Sequence, residues 1–223
     1  MRPSSLKALP LVASLFAGLA FATAFATAQT PDPTLDPDSE PPLHSAINPA
    51  LTLTEIRQAL WAIPAQQGRF FQRNPNGSLS QGQFHLSLPD KMRFAYDGEP
   101  GSIITIAGRW ISVQEEPGGE ANRFPVSLTP LKLLRETWAE PIDPANVKAF
   151  TIGERTAELS LVDGEGDTPG EIRIIFDYPS MRLLGWQTTD VQNLETQIVL
   201  RQVEYVESLP NSTFFVDENE RDD

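Results

Sequence analysis

The sequence predicts a mainly β fold with a few helices, of the antiparallel sandwich or barrel class. Three observations carry that expectation. About ten short segments of strand character follow one another at roughly 8–12-residue spacing. Tight-turn signals such as Asn76-Gly77, Pro89-Asp90 and Tyr178-Pro179-Ser180 separate them. The two stretches of helical spacing are short and do not alternate with strands, as βαβ units would require.

The chain of 223 residues opens with an export address. Arg2 and Lys7 lead into an apolar, Ala-rich stretch from Ala8 to Phe25, and Ala26-Thr27-Ala28 supplies the small residues that signal peptidase reads. Cleavage is expected before Gln29, which leaves 223 − 28 = 195 residues. No Cys follows, so the chain cannot itself be acylated there, and no later run reaches the roughly 18–20 apolar residues that span a bilayer. A soluble, periplasmic protein is the expectation. Residues 29–50 are rich in Pro, Asp and Ser and cannot bury enough surface to offset their ordering entropy, so they read as a flexible lead-in. Residues 217–223 read as a fraying acidic tail, which leaves 51–216 as one domain.

The domain starts with a helix capped by Thr52 or Thr54 and ended by Pro64, with Leu53, Ile56, Leu60 and Trp61 on one face. Strand character begins at Gly68 and runs to Arg73. Asn74-Pro75-Asn76-Gly77 then turns the chain into Ser78–Leu88, where Phe84, Leu86 and Leu88 share one face and His85 and Ser87 the other. Met92, Phe94 and Tyr96 alternate with Arg93, Ala95 and Asp97. Ile103–Ala107 and Trp110–Gln114 form a further pair through Gly108, and Pro117-Gly118-Gly119 makes a loop. Thr129-Pro130 starts a second helix, with Leu131, Leu134 and Trp138 along one side. Five more strands follow: Val147–Ile152, Thr156–Val162, Glu171–Tyr178, Arg182–Thr189 and Thr196–Val203. The helices either complete an ordinary core or plug a curved half-barrel and leave a space of ligand size.

Charge and motif content narrow the function. The formal charge of −13 becomes −15 once two basic residues leave with the signal, which argues against nucleic acid and against standing attachment to anionic lipid. The two histidines, His44 in the lead-in and His85 on a strand, have no ligand spacing, and there is no Gly-rich phosphate loop or nucleophile elbow. Asp163, Glu165 and Asp167 place acids at positions 1, 3 and 5 of a calcium-like loop, but Pro169 and Gly170 follow and no helix flanks it, so an acidic hairpin tip is expected. No metal, cofactor or enzymatic activity is expected. A carboxylate-based hydrolase is the remote alternative, since acids are plentiful.

Taken in order, several segments resemble the LolA family of periplasmic outer-membrane lipoprotein carriers, in a form similar to the LolA-like proteins of alphaproteobacteria. They are Phe70-x-Gln72; Gly82-x-Phe84 leading to Leu88-Pro89 and Met92-Arg93-Phe94-x-Tyr96; Pro100 with Ile103-Ile104 and Gly108-x-Trp110-Ile111-Ser112-Val113; Thr129-Pro130-Leu131-x-Leu133-Leu134; Leu183-x-Gly185-Trp186 with Asp190 and Thr196; and Phe214-Phe215-Val216. The resemblance covers about Leu51 to Val216.

It implies an incomplete, strongly curved antiparallel β-barrel (half-barrel) covered by a helical lid. It also implies acylated lipoproteins as cargo, an inner-membrane ABC transporter of the LolCDE type as donor, and a LolB-like outer-membrane acceptor where one exists. On this reading Phe70, Phe84, Leu86, Phe94, Tyr96, Ile104 and Ile106 line the lipid cavity, and Ile56, Leu60, Leu131, Leu134 and Trp138 form the lid. The same residues would also suit an ordinary core, and a slip of one residue at a bulge would reverse the faces. One departure stands out: the family pattern has an Arg before the turn Pro, and here Leu88 precedes Pro89. In the family that Arg is implicated in holding the lid or passing cargo on, and the role passes to neither Lys91 nor Arg93 here. A monomer is the default for a diffusing carrier, and sensing or binding another hydrophobic ligand is the alternative function.

Overall fold

Strands with one apolar and one polar face must cover the apolar one, and here they do so by joining a single sheet that bends around it. The structure is a computed structural model and describes residues 55, 56, 58, 62–139, 142–163 and 170–216, with the backbone alone at 137–139. The expected signal peptide, lead-in, acidic tail and most of the acidic tip lie outside the described residues, as do Leu60 and Trp61.

Eleven strands pair antiparallel throughout: β1 (Ala65–Arg73), β2 (Leu79–Ser87), β3 (Lys91–Tyr96), β4 (Ile103–Ala107), β5 (Trp110–Gln114), β6 (Ala121–Pro125), β7 (Val147–Ile152), β8 (Thr156–Val162), β9 (Glu171–Asp177), β10 (Arg182–Thr189) and β11 (Glu195–Val206). Their order is β6-β5-β4-β3-β2-β1-β11-β10-β9-β8-β7, two meanders joined where β1 meets β11. Strands β6 and β7 are opposite edges of the sheet, so it does not close into a barrel.

The sheet is nonetheless strongly bent. Four strand spacings separate β3 from β10, about 19 Å on a flat sheet. Yet the rings of Phe94 on β3 and Trp186 on β10 meet edge to face with centroids 5.9 Å apart. Their side chains can bridge that span only if the sheet curves toward them. Gly185 contributes to the bend: it follows a register shift against β9, has φ +153°, and a Cβ there would lie 2.0 Å from the Ile198 carbonyl oxygen.

Some boundaries differ from the expectation. Strand β6 was not foreseen, because Ala121-Asn122-Arg123-Phe124-Pro125 shows no alternation and ends in Pro. As an edge strand it needs hydrogen bonds on one side alone, which tolerates that composition. Strand β1 starts at Ala65, ahead of Gly68, and β11 runs on to Val206. At the expected first helix, Glu55, Ile56 and Gln58 are helical and the Ala62 N–H donates to the Gln58 carbonyl, but Ile63 is already outside the helix.

The second expected helix, α1 (Leu131–Ala139), follows a 3-10 turn at Val126–Leu128. The Thr129 hydroxyl donates to the Val126 carbonyl at 2.9 Å, so it binds the preceding turn rather than the first turn of α1. Another 3-10 turn, Asn211–Phe214, packs on β3 and β4, with Lys91 Nζ donating to Asn211 Oδ1 at 2.8 Å. Phe214 and Ile103 are buried but stand apart from the main core.

Candidate functional site

Residue parity decides which side chains meet inside the curve. The register aligns Phe84 with Phe94 and Ile104, and Leu86 with Met92 and Ile106, while Phe70 opposes Gly82, which opposes Tyr96. All seven expected cavity residues therefore share one face. Six are at most 5 % exposed, and Tyr96 is partly buried against the same core. The face continues across the other half of the sheet through Leu159, Ile174, Phe176, Trp186 and Ile198.

Phe70 is central. A Cβ at Gly82 would come within 2.8 Å of its ring, so the glycine leaves the room in which the ring lies. From there the Phe70 ring meets Phe94 at 5.2 Å and Tyr96 at 5.0 Å, both edge to face.

The face is covered, not open to water. Of the expected lid residues, Ile56, Leu131 and Leu134 are buried in the same core; Leu60 and the side chain of Trp138 lie outside the described residues. Leu133, which belongs to the matching segment Thr129–Leu134 but not to the expected lid, is buried as well. Two polar contacts tie α1 to the sheet: Lys132 Nζ lies 2.9 Å from Asp163 Oδ2, and Arg135 Nη1 donates to the Gly108 carbonyl at 3.0 Å. Asp163 is thus part of the helix attachment, while Glu165 and Asp167 lie outside the described residues. Leu88 is partly buried and packs against the core beside the β2–β3 turn.

Both ends of this face carry a polar group, hydrogen-bonded at one end and not at the other among the described residues. At one end Tyr96 Oη donates to Gln72 Oε1 at 2.6 Å, Gln72 Nε2 donates to Asn74 Oδ1 at 2.6 Å, and Asn74 Nδ2 reaches Ser78 and Ser80 at 2.9 and 3.0 Å. Burial pushes the Tyr96 phenol well above its ordinary range, with the Gln72 hydrogen bond opposing in part. At the other end stands Gln66, fully buried, whose Nε2 and Oε1 both lack a hydrogen-bond partner among the described residues. Gln66 escaped the sequence reading because it precedes the expected start of its strand.

The outer face carries His85 and Arg93, which are cross-strand partners. Burial first, and the Arg93 charge second, lower the His85 pKa. The arrangement favours neutral imidazole and places no carboxylate or hydroxyl partner on its buried Nδ1 among the described residues. No cluster of three potential metal-ligating side chains occurs among the described residues. A separate surface pocket of about 230 Å³ lies where Arg109, Trp110 and Val126 meet Lys132 and Arg135 of α1.

No curated protein matches the chain. Among solved structures it is similar to a LolA superfamily protein from Nitrosomonas europaea, at 13% identity and TM-score 0.42, over 75% of this chain and 99% of that one. It is also similar to the Pseudomonas aeruginosa MucA/MucB complex, at 10% identity and TM-score 0.42, over 74% of this chain and 60% of that one. A DUF1329 family protein from Desulfovibrio piger matches at 10% identity and TM-score 0.42, over 73% of this chain and 94% of that one. The family described as outer membrane lipoprotein carrier protein LolA matches residues 63–217, more than half of the sequence, and the chain belongs to that family.

Proposed function

We propose that this protein is a periplasmic carrier of acylated lipoproteins. It takes them from an inner-membrane LolCDE-type ABC transporter, shields their acyl chains, and passes them to the outer membrane, through a LolB-like acceptor where one exists. No chemical step is involved. The observation that carries the reading is the continuous apolar face on the inside of a curved sheet, covered by Ile56 and by one short helix.

The energetics suit such a task. Each methylene taken out of water is worth about 0.8 kcal/mol, so a lipid anchor needs cover while it crosses an aqueous space. A permanently open apolar face would aggregate, so the cover must close when cargo is absent. In this reading Ile56, Leu131 and Leu134 are a lid, and cargo displaces them from Phe84, Leu86, Phe94, Ile104 and Ile106. Loading and delivery then follow differences in affinity between the partners.

The test is lipoprotein release from spheroplasts of the source cell type, with and without the purified exported protein. A soluble one-to-one complex with a lipoprotein is expected. If the protein is folded and the transporter active but nothing is released, the carrier reading fails, and binding or sensing of another hydrophobic ligand takes its place.

A further inference from the structure

Gln66 is anomalous in its setting. It is the second residue of β1, on the apolar face opposite Leu86 of β2 and Tyr205 of β11, and is 0% exposed. Buried side-chain amides are nearly always hydrogen-bonded, because an unmet donor or acceptor keeps its desolvation penalty. Gln72, six residues along the same strand and face, follows that rule with bonds to Tyr96 and Asn74. Gln66 follows it at neither atom, among the described residues. A hydrocarbon side chain would suit the site better if packing were its sole purpose.

The spacing supplies the second observation. Six strand residues rise about 20 Å, so Gln66 and the Tyr96–Gln72–Asn74 cluster bracket an apolar strip of that length. Half the hydrocarbon thickness of a bilayer, the span of one acyl chain, is about 15 Å. The strip between them is lined by Phe70, Phe84 and Phe94. An acyl chain laid along it would end within reach of Gln66, where its head begins.

We propose that Gln66 is the polar anchor for the head of the bound acyl chain. Its Nε2 donates to the carbonyl oxygen of an acyl ester or amide, and its Oε1 accepts an O–H or N–H from the head group. The inference rests on the carrier reading, and adds to it that the site selects an acyl linkage over a bare hydrocarbon. It also gives the empty, covered state a built-in cost that the cargo relieves.

The test compares the exported protein with its Gln66→Met variant, which keeps an unbranched side chain of similar size and removes both polar atoms. Affinities for monopalmitin and for n-octadecane are read by displacement of a bound environment-sensitive dye, and unfolding is followed without ligand. The expected result is about tenfold weaker monopalmitin binding in the variant, unchanged octadecane binding, and a Tm higher by about 2–4 °C. Equal monopalmitin affinity in both proteins would overturn the anchor and leave the acyl-binding face standing. A Tm that falls in the variant would also overturn it, since the amide would then have a partner in the empty protein. Failure of the wild type to bind either probe would remove the anchor together with the carrier reading.

Discussion

Tyr96 shows how a polar group is kept on an apolar face at little cost. Its hydroxyl is buried but bonded to Gln72, which is bonded in turn to Asn74. Tyr96→Phe is expected to lower stability at neutral pH by about 1 kcal/mol in urea unfolding, since it removes the buried hydrogen bond from Tyr96 Oη to Gln72 Oε1. The pH dependence is more specific. Burial raises the phenol pKa in the folded state above its ordinary value of about 10. Below pH 10 both states are protonated and the contribution is whole; above it the unfolded chain loses the proton first, so stability falls as pH rises. The wild type should therefore lose stability in alkali faster than Tyr96→Phe. Parallel pH curves for the two proteins would mean that the hydroxyl is not sequestered.

At this scale the shared face was legible. Strict alternation in Phe84-His85-Leu86 and Met92-Arg93-Phe94 fixed which side chains share a face, and the register bears that out. Gln66 was not legible, because nothing local distinguishes an amide at the head of a buried strand from one in a loop.

Among the elements, α1 carries most of the functional argument. Leu131, Leu133 and Leu134 are each no more than 2 % exposed, whereas the Lys132–Asp163 pair is partly wet. Apolar burial should therefore outweigh the ion pair in holding the helix. Leu134→Ala is expected to cost about 2–5 kcal/mol in urea unfolding and to increase binding of an apolar dye. Lys132→Ala should cost no more than about 1 kcal/mol. The reverse ranking would show a helix held by charge. The helix itself was legible from Thr129-Pro130 and the leucine spacing, although its Thr hydroxyl bonds to the 3-10 turn that no sequence signal announced. Strand β6 was illegible for a related reason: an edge strand borrows its order from β5 and needs no pattern of its own.

For the whole molecule, the decisive contact is between β1 and β11, whose paired residues Phe70 and Leu200 lie far apart in the sequence. Local patterns give strands, not their closure, so sequence alone left sandwich, barrel and half-barrel open until the resemblance favoured the last. The structure gives one curved, unclosed sheet. The formal charge of −13, or −15 without the expected signal peptide, weighs against standing attachment to anionic lipid. On this account the covered inner face takes the lipid, and the outer pocket at Arg109, Trp110 and Arg135 does not.

The central claim is that acyl chains lie inside the curve, and cross-linking with a palmitoyl lipid bearing a photoreactive diazirine at its chain end tests it most directly. Peptide mapping by mass spectrometry is expected to place the label on inner-face residues such as Phe84, Leu86, Phe94, Ile104 or Ile106, or on the α1 residues that cover them. Label confined to Trp110 and Arg109, or to outward residues such as Phe71, would contradict the account.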